Sequence, residues 1–234
     1  VISTSSAGIE KLPSCSLRSL GNFQPSNNYS ETIGLANPQV KGATATPNEG
    51  QYFVGWYSNG SCSNESFVSG EVHYAPPITS LQDGATYYAK FSAKQTIKIQ
   101  VPNETLPYNE RNQTGKEYSD AETTGLPEGY TISVTQNNYT PAKGTNVSSS
   151  ANPYTGSFAD PQFTISQGGT DVTNQFDVIF IPGKLHIKGN VTYDPNANDA
   201  TVTGLPQDTD TYFLNADVPV KDGTPKRDGY DFVG

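Results

Sequence analysis

The sequence predicts a mainly β chain organised as small modules in tandem, and three observations predict it. The composition opposes long helices. Only 16% of the 234 residues are charged, and there are 22 Gly, 17 Pro, 14 Tyr, 10 Phe and no Met. Helices draw on Ala, Leu, Glu, Lys and Arg, whereas short strands use aromatic and β-branched residues between Gly, Pro and Asn turns. Apolar residues also recur with period two, most clearly at Ile97, Ile99 and Val101, as half-buried strands require. Finally, one motif is written twice: Phe53-Val54-Gly55-Trp56-Tyr57 after Pro47-Asn48-Glu49-Gly50, and Phe232-Val233-Gly234 after Pro225-Lys226-Arg227-Asp228-Gly229. A motif recurring at that separation marks a modular array. The second copy stops where the first has its tryptophan, so the expectation is a piece of a longer modular protein.

Charge and length narrow the function classes. The net charge is −9 and the isoelectric point is about 4.6. Nucleic acid is a poor partner for such a chain, because affinity there rests on Lys and Arg neutralising phosphates. Anionic membrane surfaces are disfavoured for the same reason. No run approaches the roughly 20 apolar residues of a membrane-spanning helix, so no direct membrane insertion is expected in this segment. Runs of Val, Ile, Tyr and Phe argue against disorder, since they can bury apolar surface. The chain opens without Met and without a signal-peptide pattern, which reads as a trimmed fragment. Cys15 and Cys62 have no metal-type spacing; a disulfide in an oxidising compartment and two free thiols are the states open to them.

The elements follow in order. Residues 1 to about 10 read as a polar tail, with a short helix placed near Ser14 to Leu20. A first module, residues 1–94, carries strands at Gln51–Tyr57 and Ala85–Phe91, with turns at Ser58-Asn59-Gly60-Ser61 and Gln82-Asp83-Gly84. In an ideal strand Phe53, Gly55 and Tyr57 share one face and Val54 and Trp56 the other. Trp56 is expected in the core. A second module, residues 95–189, holds strands at Thr96–Val101, Gly129–Val134, Gln162–Ile165, Phe176–Ile181 and Gly183–Ile187. Several short strands with frequent turns point to a sandwich. Pro182-Gly183 reads as the turn of a hairpin joining the last two. The third segment, residues 190–234, is too short for a complete domain. An unfinished sheet there leaves an exposed edge, to be less ordered or paired with a neighbour.

Two family resemblances arise from these residues. Asn190-Val191-Thr192-Tyr193-Asp194-Pro195-Asn196, Val218-Pro219-Val220, Thr224-Pro225 and Gly229-Tyr230-Asp231-Phe232-Val233-Gly234 resemble the Listeria–Bacteroides repeat, the internalin B-type repeat. The first module is similar to a divergent member through Ala45-Thr46-Pro47, Phe53–Tyr57 and Gly84–Phe91, departing at Gln51, where the family places an aromatic residue. The middle module resembles the Ig-like, MBG-like sandwich repeats of Gram-positive surface adhesins. That likeness rests on Leu106-Pro107-Tyr108-Asn109, Gly125–Tyr130, Asp171–Phe176 and Pro182–Ile187. The resemblance implies a β-grasp-like repeat, then an Ig-like β-sandwich, then the start of a second repeat. It also implies a secreted bacterial protein of the cell surface or cell wall.

Candidate chemistry is sparse. His73 and His186 have no partner constellation for metal or general-base work; His186, between Leu185 and Ile187, is expected to face outward. Asp194-x-Asn196-x-Asn198-Asp199 imitates a calcium loop but lacks Gly at position six and Glu at twelve, where Asp199 and Leu205 stand. It reads as an Asx turn. Neither a nucleophile elbow nor a phosphate loop occurs. The acidic pairs Glu65/Glu71 and Asp120/Glu122 are of the type that serves glycoside hydrolysis, with nothing to set them across a cleft. Tyr87 and Tyr88 are the binding candidates, because Tyr makes adaptable contacts at low entropic cost. Lys98 and Asn174 are candidates for the intramolecular isopeptide bond found in Gram-positive surface sandwiches. Eight Asn-x-Ser/Thr sequons occur, which an Asn-rich chain accumulates by chance.

The reading is a non-catalytic segment of a cell-surface protein, acting as a stalk or adhesive surface, without metal or cofactor. Host extracellular-matrix proteins or glycans are its candidate partners, and each module is expected to be monomeric. The alternative is a carbohydrate-binding accessory region of an extracellular glycan-degrading enzyme.

Overall fold

The structure is a computed structural model that describes residues 33, 40–80, 85–196 and 201–231. The chain is mainly β, with no α-helix among the described residues. Short 3-10 turns stand at Asn64–Ser66, Ile78–Ser80, Tyr118–Asp120 and Thr173–Gln175. The described residues fall into two compact units. One runs up to Gln95 and includes Asn174–Asp177; the other comprises Thr96–Thr173 and the residues from Val178 onward. The helix expected near Ser14 to Leu20 and the turn at Gln82-Asp83-Gly84 lie outside the described residues.

In the first unit, β1 (Ala43–Thr44), β2 (Gln51–Tyr57), β3 (Phe67–Ser69), β4 (His73–Tyr74) and β5 (Tyr88–Ala93) form two sheets. β2 lies between β3 and β5, while β1 pairs with β4. β5 begins later and extends further than the run Ala85–Phe91 suggested. The register of β2 on β5 sets Phe53 against Phe91, then Gly55 against Lys90 and Trp56 against Ala89. Val54 is therefore the extra residue of a β-bulge. A bulge shifts the parity of a strand. It brings Phe53 and Trp56 to the same side, with ring centroids 5.9 Å apart, where strict alternation had set them on opposite faces. Trp56 is 1% exposed and packs with Ala45 and Ala89, while Phe53, Tyr74, Tyr87 and Phe91 close around it. Its indole N–H donates to the Val72 carbonyl at 3.4 Å.

The second unit contains β6 (Gln95–Gln100), β7 (Glu104–Pro107), β8 (Gln113–Thr114), β9 (Glu122–Thr124) and β10 (Tyr130–Gln136). These are followed by β11 (Tyr139–Thr140), β12 (Lys143–Gly144), β13 (Tyr154–Thr155), β14 (Ser157–Phe158) and β15 (Gln162–Gln167). The last four are β16 (Thr170–Asp171), β17 (Phe176–Ile181), β18 (Lys184–Asn190) and β19 (Thr211–Tyr212). The three larger sheets run β10-β15-β16, β17-β6-β9, and β13-β18-β19 with β7 on the far side of β18. The period-two pattern does what the sequence asked of it: Ile97, Ile99 and Val101 are buried, and Lys98 and Gln100 between them are exposed. Leu185 and Ile187 of β18 are buried with Ala142, with Leu106 and Tyr154 packed against them. β7 pairs parallel with β18, Leu106 opposite Ile187, so both strands lend apolar side chains to one core.

The hairpin expected at Pro182-Gly183 does not form. β17 and β18 lie in different sheets. A Cβ at Gly183 would sit 2.7 Å from the Pro102 carbonyl oxygen and 2.9 Å from Cγ1 of Val101, so only glycine passes there. The backbone of Gly183 is bonded elsewhere, its N–H to the Tyr139 hydroxyl and its carbonyl to the Gly156 N–H. Pro-Gly marked a change of direction correctly, but these bonds make it a crossing between sheets.

The segment after Asn190 does not stand as an unpaired edge. Gly189 and Asn190 of β18 pair with Tyr212 and Thr211 of β19. The Leu214 N–H donates to the Ser148 carbonyl at 3.0 Å. The Phe213 ring covers His186 edge-on at 5.2 Å, with Lys188 Nζ 4.5 Å from the same ring. His186 is consequently half-buried, contrary to its expected outward position, because β19 brings Phe213 over that face of β18. Its Nδ1 is buried with no hydrogen-bond partner.

Candidate functional site

The sequence-derived candidates are dispersed. Tyr87 packs into the Trp56 cluster and meets Tyr74 edge-on, centroids 5.3 Å apart. Burial, with the Tyr87 hydroxyl adding to it, raises the pKa of Tyr74. Tyr88 is half-buried opposite Tyr57, beside Gly60. The two rings have different neighbours, Tyr87 the Trp56 cluster and Tyr88 the Tyr57 and Gly60 side, so they do not form one platform. Lys98 and Asn174 are both exposed. The isopeptide reaction needs a buried lysine; Lys98 faces away from the core because Ile97 and Ile99 occupy it, so that assignment is withdrawn. Cys62 is buried and disulfide-bonded. Cys15 lies outside the described residues. His73 is exposed and its Nδ1 shares a 3.0 Å hydrogen bond with the Thr44 hydroxyl.

The acidic positions are structural as well. The Asp194 carboxylate accepts the Asn196 N–H at 2.7 Å, an Asx turn, with Asn196 at φ 47°. Asn198 and Asp199 lie outside the described residues. Asp120 completes a reciprocal capping box with Glu117 on the turn Tyr118–Asp120. The Glu65 carboxyl is held below its usual range by hydrogen bonding to Ser63 and sits exposed. Among the described residues no group of three or more His, Cys, Asp or Glu side chains could hold a metal ion. Nor is any described helix long and apolar enough to cross a membrane.

What the structure does assemble lies in residues 193–231. The turn of the second motif copy closes with the Tyr230 N–H on the Arg227 carbonyl at 3.2 Å, with Gly229 at φ +78°. Thr203 and Lys226 exchange both backbone hydrogen bonds, at 2.9 and 2.8 Å. The Arg227 guanidinium lies over the Tyr230 ring, 4.1 Å from its centroid. Beside this turn runs a polar clamp. Lys221 Nζ meets Asp210 at 2.5 Å and Asp208 at 3.6 Å, and the Tyr212 hydroxyl donates to Asp208 at 2.9 Å. The Lys221 N–H donates to the Tyr193 hydroxyl at 2.9 Å. Burial alone would raise the Asp208 carboxyl. The Asp210 N–H, the Tyr212 hydroxyl and Lys221 outweigh it and hold the group below the usual carboxylate range. The hydrogen bond that Lys221 donates to the Asp210 carboxylate, with the charge of Asp208 behind it, drives Lys221 well above the usual lysine value.

Turn and clamp border a groove of about 730 Å³. Its apolar lining includes Tyr193, Val202, Leu205, Val220 and Tyr230, and Lys226, Arg227, Asp194 and Asp231 supply charge. Val220 is 84% and Tyr230 66% exposed. A pocket of this size, apolar with a few convergent polar groups, has the dimensions of a binding site. Sequence reasoning missed it. The available signals were Val218-Pro219-Val220 in an otherwise polar stretch and Lys226-Arg227, the one adjacent basic pair in the chain.

Neither family models, nor curated proteins, nor solved structures gave a match to this chain.

Proposed function

We propose that this chain is a non-catalytic repeat segment of a bacterial cell-surface protein, serving as a stalk or adhesive surface. The observation that carries the proposal is repetition: one turn motif recurs in both β units, with equivalent hydrogen bonds and equivalent glycines. The turn at Asn48 to Gln51 closes at 3.1 Å with Gly50 at φ +71°, and that at Arg227 to Tyr230 closes at 3.2 Å with Gly229 at φ +78°. Repeated modules with small separate cores suit projection of surface over distance. The finer assignment, β-grasp-like repeats flanking an Ig-like sandwich, belongs to the same reading and rests on the motif resemblances given above. An acidic surface suits a wall-exposed setting. An antibody raised against the purified chain tests the proposal on intact source cells. Labelling that external protease removes is the expected result; labelling only after permeabilisation sinks the idea.

A further inference from the structure

We propose that Asn59 is a site of spontaneous covalent modification, closing a succinimide ring on Gly60 that opens to aspartate and isoaspartate. The inference rests on nothing in the cell-surface reading and goes beyond it. Asn59-Gly60 is the one Asn-Gly pair in the chain. It lies in the turn Ser58-Asn59-Gly60-Ser61, whose four residues are all exposed to water. Three observations carry the proposal. The first is direction. The Ser61 N–H donates to Asn59 Oδ1 at 3.1 Å, an Asx turn. Such a turn folds the side-chain carbonyl carbon, Cγ, back towards the nitrogen of the next residue. That nitrogen, on Gly60, is the atom that closes a five-membered ring. The Cys62 N–H, on the Asn59 carbonyl at 3.2 Å, holds the backbone in the same bend. Groups held in position react without the entropic cost of finding one another.

The second observation is polarisation. The Ser61 hydroxyl also donates to Asn59 Oδ1, at 2.6 Å. Oδ1 is the oxygen that gathers negative charge when Cγ is attacked, and two donors already face it. The third is room, because Gly60 has no Cβ to crowd the approach to its nitrogen. Two other asparagines make the same Asx bond without these advantages. Asn109 accepts the Arg111 N–H and Asn137 the Tyr139 N–H, both at 3.0 Å. Glu110 and Asn138 follow them and carry a Cβ, and neither Arg111 nor Tyr139 has a hydroxyl on its Cβ. The steps balance. The Gly60 nitrogen bonds to Cγ, and its proton passes through solvent to the side-chain nitrogen, which leaves as ammonia. Water then cleaves one of the two ring C–N bonds. Cleavage at Cγ leaves aspartate; cleavage at the backbone carbonyl leaves isoaspartate, whose main chain runs through Cβ and Cγ. Either product adds one negative charge. Isoaspartate also lengthens the main chain inside the turn that leads to Cys62, which is buried and disulfide-bonded.

The test incubates the full chain at neutral pH and physiological temperature over several weeks. Peptide mapping by mass spectrometry follows the amide-to-acid mass gain, and an isoaspartate methyltransferase assay reports the ring-opened product. Isoaspartate at Asn59 is expected to accumulate at least roughly tenfold faster than at Asn109 or Asn137. It should form no more slowly than in a synthetic peptide of residues 57–63, because the fold sets up the ring closure. Gly60→Ala is expected to slow the reaction roughly tenfold, and Ser61→Ala roughly threefold. A Cβ on Gly60 would lie 3.4 Å from the Tyr88 ring, an ordinary contact, and its φ is not left-handed, so alanine fits. Circular dichroism and Trp56 fluorescence confirm that each variant folds. Equal rates at the three asparagines overturn the proposal, as does a slower reaction in the chain than in the peptide. A Ser61→Ala variant that reacts as fast as the parent overturns it equally. Conversion to aspartate without isoaspartate does so too, because direct hydrolysis never forms the ring. None of these outcomes bears on surface location, which the antibody experiment decides separately.

Discussion

The two turns are near-copies with unequal surroundings. At Asn48 to Gln51 and at Arg227 to Tyr230 the same backbone hydrogen bond closes the turn, and a glycine supplies the positive φ. Trp56, six residues past the first turn's glycine, is 1% exposed; Tyr230, which follows the second turn's glycine directly as Gln51 follows the first, is 66% exposed. Turn geometry is coded within four or five residues, and so it survives in both places. Burial depends on strands from elsewhere in the chain: in the first unit β5 and Ala45 enclose Trp56. A local code and a non-local one have been separated within a single molecule.

The sharpest way to break this comparison is to remove the large side chain in each place. Trp56→Ala deletes a fully enclosed ring and is expected to cost about 3–5 kcal/mol. Tyr230→Ala, on an exposed ring, is expected to change stability by less than about 0.5 kcal/mol. Urea titration followed by circular dichroism checks both. Similar costs at the two positions would mean that the Tyr230 ring is packed in solution rather than exposed.

The turns themselves should behave alike. Nothing lies within 4 Å of a Cβ built on Gly50 or on Gly229, so alanine meets no clash at either and only backbone strain remains. Gly50→Ala and Gly229→Ala should each cost about 1–2 kcal/mol, the penalty for an L-residue at positive φ. Hydrogen exchange at the Gln51 and Tyr230 amides reports each turn locally. Equal acceleration supports a shared local code; a much larger effect at Gln51 would mean that packing holds the first turn in place.

This contrast also explains what the sequence disclosed. Period two at Ile97, Ile99 and Val101 reports which face is buried, and Trp56 was legible as core because the largest apolar residue seeks the deepest site. The Val54 bulge was not legible, since it depends on how β5 answers β2. Pro182-Gly183 was misread because a turn dipeptide specifies a bend but not the destination of the strand after it. The outward assignment of His186 failed for a related reason: alternation within β18 was right, but the cover came from Phe213, 27 residues onward in the sequence. The groove was illegible because Tyr193, Val202, Val220 and Tyr230 converge only after the chain doubles back.

Acid should loosen the second region before the first. Asp208 is held below the usual carboxylate range in the fold, so it contributes stability that is fully present above the unfolded value, about 3.9. That contribution is lost as pH falls through the folded value and Asp208 gains its proton. Below about pH 4 the Lys221–Asp208–Tyr212 clamp is expected to open while the aromatic core around Trp56 persists. Monitoring backbone amides of residues 208–221 by NMR between pH 6 and 3 follows it, and Asp208→Asn should remove that part of the response. If Trp56 fluorescence changes first, the order assumed for the two regions is reversed.

The smallest effect concerns the junction between β18 and β19. His186 carries a buried Nδ1 without a partner, against the edge of Phe213. An unsatisfied buried polar atom costs free energy that an apolar replacement of similar shape recovers. His186→Phe keeps a ring beneath Phe213 and removes the orphan nitrogen. It is expected to stabilise the second unit by about 1 kcal/mol, seen as a higher urea midpoint with an unchanged slope. A lower midpoint would show that the imidazole makes a polar contact in solution. It would also mean that β19 is held to β18 by a polar interaction as much as by the Phe213 ring.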